Sequence, residues 1–581
     1  MSRGRLSQSV IFEELLKEDE EESESELSDQ GSETSDHIVA EEPLSAEESN
    51  CSDSEEDELP LLDINSCFTG RDKVTKWQKS NNNRLRRQVQ NILTENAGIR
   101  RNGVGVTTFR QAWSLLISEN IIEKVVRHTN EFIKKKVSSY NRIRDCKPTD
   151  AVEIRALFGL LYIAGSLKTS HANLEDLYAS DGTGIPIFPT TMSVKRVKFL
   201  LNSLRFDDAT TRQARRTLDK AAPIREVLDM FTQNCLLPYS VGENVVIDEM
   251  IVGFRGKCPF RQYMKSKPDK CGIKLYPLVD AATFYVLNIE LYAGKQPEGP
   301  YQLSNAASDV VKRLITPISG TGRNLTIDNW FSSVLLTNDL AKDYKISVVG
   351  TIRKNKKEIP TCFIDKNKPE YSSQFGFSDT ATLVSYVPKK KRSVVLISSL
   401  HYAAEIDEST NEKRKPSIVT FYNKTKGGAD EVDKKVKMYS VSRKNNRWPL
   451  TLFFRLLDIA GINSMVILRA NNMTLRKRRM YLRALGTELT KEYVQRRSTM
   501  AGLPRKLKRN IREHLNMEVG AADTEAVSSG ACRGTCKICP AKKRRQSKTQ
   551  CKLCMKNICR SHTTFICNHC YMNKETDSDE N

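Results

Sequence analysis

Asn244-Val245-Val246-Ile247-Asp248-Glu249 and Asn324-Leu325-Thr326-Ile327-Asp328-Asn329 share one pattern, and it points to the architecture of the chain. Each is a short run rich in β-branched residues that halts on an acid. Runs of this length read as buried strands, and an aspartate directly after one stands where a strand opens onto a surface. Around them the pattern repeats in Lys274 to Val279, Tyr285 to Tyr292 and Ile346 to Ile352, with helix-like stretches at Ala306 to Leu314 and Val334 to Lys342. Strands first, then helix and strand in alternation, predict a mixed α/β sheet.

Outward from this centre the spacing changes. Ala112-Trp113-Leu115-Leu116-Ile117 and Ile154-Leu157-Leu160-Leu161-Ile163 repeat at helical intervals, so about 109–206 reads as a helical domain. After the strands, a polar stretch with a hairpin at Thr382 to Val387 and Ser393 to Ser398 reads as a strand-rich insertion. Beyond Gly427-Gly428 the spacing is helical again to about Leu515, and Gly520 to Ala531 reads as a linker. The longest apolar run, Ala156 to Leu167, covers about two-thirds of a bilayer-spanning helix, which predicts a buried helix and no membrane partner. Met1 to Leu16 lacks the apolar centre of a secretory signal, so an intracellular chain with reduced thiols is expected.

The net charge of +21 hides a division. Residues 1–70 hold 22 acidic and 3 basic residues, leaving 89 basic against 49 acidic in the remainder. The first part is too acidic and too poor in aromatics to bury a core, and its Ser52-Asp53-Ser54-Glu55 pattern suits an acid-directed kinase. The strongly cationic remainder attracts a polyanion, of which intracellular nucleic acid is the abundant one.

Eight of the fifteen cysteines lie in the last fifty residues, and seven of them form four pairs with His562: Cys536-x2-Cys539, Cys551-x2-Cys554, Cys559-x2-His562 and Cys567-x2-Cys570. Each pair lets two ligand atoms reach one tetrahedral zinc from a tight turn, so eight ligands predict two Zn²⁺. In an interleaved arrangement the first and third pairs share one ion, and the second and fourth the other. Lys542, Lys543, Arg544 and Arg545 in the first loop favour DNA as what the module touches.

The acids follow the same logic. Asp248 and Asp328 end strand-like runs, Asp430 opens a helix after Gly427-Gly428, and Asp433 lies three residues further on the same helical face. Two divalent ions about 4 Å apart need several carboxylates around them. The plain alternative is an aspartate closing a turn, or one answering a helix dipole. Spacing alone leaves both open.

Longer motifs add to this. Ile247-Asp248-Glu249 is followed by Gly253-Phe254-Arg255-Gly256-Lys257-Cys258-Pro259-Phe260-Arg261, then by Thr326-Ile327-Asp328-Asn329-Trp330-Phe331, Val349 to Lys356, Tyr422 to Asp430 and Ser442 to Pro449. In these motifs and their order the chain resembles the piggyBac transposases, from about residue 107 to the terminal cysteines. The resemblance implies an RNase H-like catalytic core with an insertion, flanked by helical segments that dimerise and hold DNA. It implies Mg²⁺ (or Mn²⁺) on Asp248, Asp328 and Asp430, with Asp433 a fourth acidic position. It further implies cleavage of transposon ends through a hairpin, joining at TTAA targets, a homodimer on double-stranded DNA, and target handling by Arg353 and Lys356. Arg255, Lys257 and Arg261 are candidate phosphate contacts, and Trp448 could stack on an unpaired base or fill the helical core.

The resulting plan has an acidic disordered region at 1–105, helical parts at 106–244 and 441–517, and RNase H-like parts at 245–353 and 416–440. The insertion is 354–415, the linker 518–531, the zinc module 532–573 and the acidic tail 574–581. Basic runs at Lys389 to Arg392, Arg476 to Arg479 and Lys542 to Arg545 are candidate nuclear import signals. A domesticated relative that binds DNA or chromatin without transposing is the second reading.

Overall fold

The structure, a computed structural model, describes residues 66–81, 92–265, 267–474, 477–500, 502–515, 534–540, 543, 545–551 and 556–564. The acid-rich residues 1–65, the linker and the acidic tail lie outside them. Residues 1–497 form one compact unit and 498–581 a second.

In chain order the first unit begins with strands β1 (Cys67–Thr69) and β2 (Lys76–Gln78). Helices α1 (Glu119–Lys136), α2 (Ala151–Ser166) and α3 (Arg225–Leu236) follow. Next come β3 (Asn244–Ile247), β4 (Met250–Gly253), β5 (Cys271–Asp280), β6 (Val286–Leu291) and helix α4 (Ala307–Ile315). Then β7 (Asn324–Ile327), α5 (Val334–Lys342) and β8 (Ser347–Thr351) alternate. Strands β9 (Ser373–Phe377), β10 (Thr382–Lys389) and β11 (Arg392–Ser398) precede helices α6 (Ser417–Thr425), α7 (Gly428–Met438), α8 (Trp448–Ala470) and α9 (Arg478–Ser498). Helix α10 (Arg505–His514) is in the second unit rather than in the helical part expected to reach 517.

The central strands take the RNase H-like order β6-β5-β3-β7-β8: β5 is antiparallel to both β6 and β3, while β3, β7 and β8 run parallel. Buried Arg323, just before β7, donates to the carbonyls of Val241 (2.9 Å) and Gly242 (3.0 Å) just before β3, tying the two parallel strands at their starts. The expected insertion is not a separate sheet. Its hairpin β10–β11 continues the central one, because β11 pairs antiparallel with β8, and its turn is tighter than expected, closing between Lys389 and Arg392.

The acidic region expected to stay unfolded to residue 105 is corrected at its end. Strands β1 and β2 pair with each other and β2 extends the sheet at β9, while Gly98–Ile99 pairs with Tyr239–Ser240. Trp77, fully buried, explains this, since one large indole supplies the apolar area that the acid-rich stretch before it lacks.

The two helical parts meet where α2 crosses α9. A Cβ on Gly159 would come within 2.6 Å of the Gly486 carbonyl, and one on Gly486 equally close to the Gly159 carbonyl, so only glycine permits this crossing. Helix α8 corrects the expectation about apolar runs: it is long and apolar enough to cross a membrane, yet that stretch is wholly buried in the protein. It is the central core helix, and Arg455, Asp458 and Arg469 within it break its apolar run in the sequence.

Asp458 accepts from Ser440 Oγ (2.9 Å) and the Val441 amide (2.8 Å), and burial pushes its carboxyl up to about 7 against the pull of Arg455. A folded value above the unfolded one stabilises fully at low pH and loses that contribution as pH rises through the folded value. Thermal melts of the wild type relative to Asp458→Asn should therefore worsen steadily from about pH 4 to above pH 7. A pH-independent difference would show that Asp458 is already ionised in the folded protein.

Candidate active site and zinc centre

Register brings the first two acids together. Ile247 lies opposite Ile327 in the parallel pair β3/β7, so Asp248 and Asp328 are the next residues on neighbouring strands, whose axes run about 4.8 Å apart. Asp248 is not at a true strand end. Ile247 opposes Leu278 and Met250 opposes Leu275, so β3 and β4 run along β5 in one unbroken register with Asp248-Glu249 as the gap. The residue opposite Asp248 in this register is Pro277, which has no N–H to give the ladder. Asp328 turns the chain out of β7, its carboxylate accepting from the Trp330 amide (2.9 Å) and its carbonyl from the Ser332 amide (3.1 Å) and hydroxyl (2.9 Å). This turn packs on Gly350, where a Cβ would meet Ser332 Oγ at 2.5 Å.

The third acid comes from α7. A buried hydroxyl pair, Thr326 Oγ1 to Thr425 Oγ1 at 2.7 Å, staples the end of α6 to β7 and so places the Gly427-Gly428 turn that carries Asp430. Asp430 is exposed and takes an ion pair from Lys267 Nζ at 3.2 Å. Burial pushes the Asp248 carboxyl up to about 7, Lys267 pulls it down, and the charges of Asp430 and Asp328 push it up again. Burial and the charge of Glu249 raise Asp328, opposed by its backbone bonds and by Arg353. The three carboxylates therefore share one electrostatic field. They do not close up: among the described residues, only a cysteine-histidine group has its candidate ligand atoms mutually within 4.8 Å. Lys267, paired with Asp430 and pulling Asp248 down, supplies counter-charge within the cluster.

Asp433 stands apart from these three. It is held by Arg455 Nη1 (3.4 Å) and Lys437 Nζ (2.7 Å), and Lys437 also reaches Asp269 Oδ2 (3.1 Å), which clamps the Lys267 loop onto α7. Two residues at the acids were missed in the sequence. Lys267 had no local motif to mark it, and Tyr422, buried against Thr351 and close enough to feel all three aspartates, reads as an ordinary helix residue. Beside the site, Lys274 Nζ pairs with Glu249 (2.6 Å) and lies 5.0 Å from the ring centroids of Tyr276 and Trp330. Its charge offsets that of Glu249.

The candidate DNA contacts divide. Arg255, Lys257 and Arg261 are exposed, with Arg261 Nη1 donating to the Arg255 carbonyl (2.8 Å) and so fixing the loop. Arg353 and Lys356 line a cleft of about 450 Å³ together with Asp72, Asn355, Lys357 and Glu358. Trp448 is buried, with 9% exposed and its ring edge-on to Phe260 at 4.9 Å, so its indole fills the core instead of offering a stacking face. In the Arg476 to Arg479 run, Arg478 is also buried, donating to the Lys435 carbonyl (2.8 Å) and stacking on Tyr439, which removes it from the surface run expected there.

In the second unit Cys536, Cys539, Cys559 and His562 converge, as the interleaved pairing expected for the first and third pairs. Cys539 Sγ to Cys559 Sγ is 3.6 Å, and the three sulfurs lie 3.7, 3.6 and 3.4 Å from His562 Nδ1. Zinc–ligand bonds of about 2.3 Å to sulfur and about 2.0 Å to nitrogen set tetrahedral edges of about 3.5 to 3.8 Å. The donor set fits zinc in chemistry and in size. Of the second expected set only Cys551 is described; Cys554, Cys567 and Cys570 lie outside the described residues, as do Lys542 and Arg544. Lys543 and Arg545 are exposed.

Comparison with known proteins bears on the family of the chain. A family profile described as Transposase IS4 matches residues 109–465, which include all four acids. The human PiggyBac transposable element-derived protein 3 is 18% identical over 362 residues, covering 59% of this chain and 58% of that protein. The human Chimeric ERCC6-PGBD3 protein is also 18% identical over 362 residues, 33% of its length, so the chain spans well under two-thirds of either relative. A cryo-EM structure of a piggyBac transposase synaptic complex with hairpin DNA matches with a TM-score of 0.71 and 34% identity, over 82% of this chain and 100% of that one.

Proposed function

The chain belongs to the piggyBac family of transposases, and from that premise we propose that it is a cut-and-paste DNA transposase whose metal site is Asp248, Asp328 and Asp430. The observation that carries the reading is the placement of Asp248 and Asp328 as the next residues after Ile247 and Ile327 on neighbouring parallel strands, with Asp430 in the same field. Their charges and oxygen donors suit Mg²⁺ or Mn²⁺, which would supply Lewis acidity at a scissile phosphate and a more acidic attacking hydroxyl. Asp433 acts from behind, holding the Lys267 loop through Lys437.

Each proposed step is an in-line displacement at phosphorus. Water first frees a 3′-hydroxyl at a transposon end, with a nucleotide 3′-oxygen leaving as phosphate is retained on the other side. That hydroxyl then attacks a phosphate of the opposite strand, expelling the flanking strand's 3′-oxygen and forming a hairpin; water opens the hairpin at phosphorus, returning a 3′-hydroxyl on the end; and that hydroxyl joins a TTAA target by expelling a target 3′-oxygen. One site can serve all four because bond formed and bond broken are of the same kind. Arg255, Lys257 and Arg261 would hold phosphates on one side of the acids, and Arg353 and Lys356 would hold the target. The DNA-bound state of the structurally similar transposase supports DNA as the ligand.

The reading includes a homodimer, since two ends must be joined together, nuclear entry through Lys389 to Arg392 or Lys542 to Arg545, and an acid-directed kinase acting on the N-terminal serines. The second reading, a domesticated DNA- or chromatin-binding protein, draws on the element-derived name of the human relative. Plasmid excision in cells separates them, using DNA ends taken from inverted repeats beside this coding region. Excision by the wild type and none by Asp328→Asn supports the transposase; DNA binding with no excision by either supports the domesticated reading.

A further inference from the structure

The hairpin β1–β2 falls within residues 1–105, the span expected to stay unfolded, yet it is bolted to the loop that carries Arg353 and Lys356. Arg71, in its turn, donates to three carbonyls of that loop: Nη2 to Lys354 and to Lys356 (2.7 Å), and Nε to Ile359 (3.2 Å). The Asp72 amide donates to the Lys357 carbonyl (3.0 Å), and Trp77 Nε1 to the Glu358 carbonyl (2.9 Å). The approach is close enough that a Cβ on Gly70 would meet the Glu358 carbonyl at 2.8 Å. Phe68 packs edge-on against Phe363 at 5.3 Å, and Trp77 is fully buried beside Ile352, Ile359 and Phe363.

So residues 353–359, with no helix or strand of their own, get their conformation from a segment 285 residues earlier. A planar guanidinium that spans several carbonyls fixes backbone direction in a way a single ammonium does not. Asp72 then forms one wall of the cleft in which Arg353 and Lys356 lie.

We propose that β1–β2 is a positioning strap for target DNA: Arg71 and Trp77 hold the 353–359 loop so that Arg353 and Lys356 meet a phosphate of the duplex being joined. This rests on the proposed role of that loop in joining. Neither strap residue touches the reacting atoms. Their effect is preorganisation, and misplacement of about 1 Å at a contact loop costs about 100-fold in rate.

The test compares two steps in the full chain: cleavage of a plasmid-borne end, and joining of a pre-cleaved end duplex bearing a 3′-hydroxyl to a plasmid target. Variants are Arg71→Ala, Arg71→Lys, Trp77→Phe, and Arg353→Ala as the reference for the loop. Arg71 is exposed, and Trp77→Phe keeps a ring in the core while deleting the bond to Glu358; both variants are expected to melt as single folded species, which a thermal melt checks before joining is scored. Arg71→Ala is expected to lower joining at least about 10-fold more than cleavage, with KM for target rising more than kcat falls. Arg71→Lys should recover little, and Trp77→Phe should shift the ratio in the same direction by less. Parallel loss of both steps would make the strap merely structural and overturn the proposal. Arg353→Ala blocking joining while Arg71→Ala leaves it intact would also overturn the strap, with the loop's role standing. Joining unaffected by Arg353→Ala would instead sink the premise.

Discussion

Asp328→Asn is expected to lower end cleavage by roughly 1,000-fold, about 4 kcal/mol of lost transition-state stabilisation, while the protein melts within a few degrees of the wild type. An amide oxygen can still accept from the Trp330 amide, so the turn that leaves β7 survives. What goes is one of the negative charges available to a divalent cation. Asp248→Asn should be similar in size, since its neighbour in register is the same site. The Asp248→Asn/Asp328→Asn pair should be little worse than either alone, because groups that act as one unit are not additive. Two independent losses that multiply would show that the acids do not share an ion. Retention of cleavage within about tenfold in Asp328→Asn would remove it from the catalytic machinery.

Cys559→Ser is expected to collapse the terminal module and leave the body intact. A segment of this size cannot bury enough apolar area to fold alone, and a structural zinc contributes about 10–16 kcal/mol. Cys559 is buried and sits 3.6 Å from Cys539 and 3.4 Å from His562, so its loss opens the site. Zinc content should fall by at least one ion per chain, and protease should cut within 534–564 far sooner, with the melting of the first unit unchanged. Zinc content equal to the wild type would mean these four residues do not form the site.

The strands that carry Asp248 and Asp328 were legible in the sequence because β-branched runs mark buried strands and Asp328 follows one directly; a metal role for these acids came only from the resemblance. The run Asn324 to Ile327 matches its strand, and Val334 to Lys342 matches its helix residue for residue. The true setting of Asp248 was hidden. A strand that pauses at Asp248-Glu249 looks in sequence like one that ends, and Pro277 explains the pause only once it is known to lie opposite. The hairpin Cys67 to Gln78 was missed because its strands have three residues each, too few for periodicity, and their stability comes from distant parts of the chain. Arg478 misled in another way: local composition around it is basic, while its burial is decided by Tyr439, which no local pattern connects to it. Of the two readings open for Trp448, the structure takes the core one, packing the indole on Phe260. The cysteine pairs were read correctly for the described set because metal-ligand spacing is a local property, which the fold has only to bring together.

The proposal that Asp248, Asp328 and Asp430, from separate parts of the chain, hold divalent metal has a direct test. Anomalous scattering from crystals of the full chain with an end duplex, grown in Mn²⁺, tests it most directly. A strong anomalous peak is expected beside the carboxylates of Asp248, Asp328 and Asp430, with Lys267 displaced from its ion pair with Asp430. Full Mn²⁺ loading with no peak at these residues, or a peak held by other acids, would contradict it.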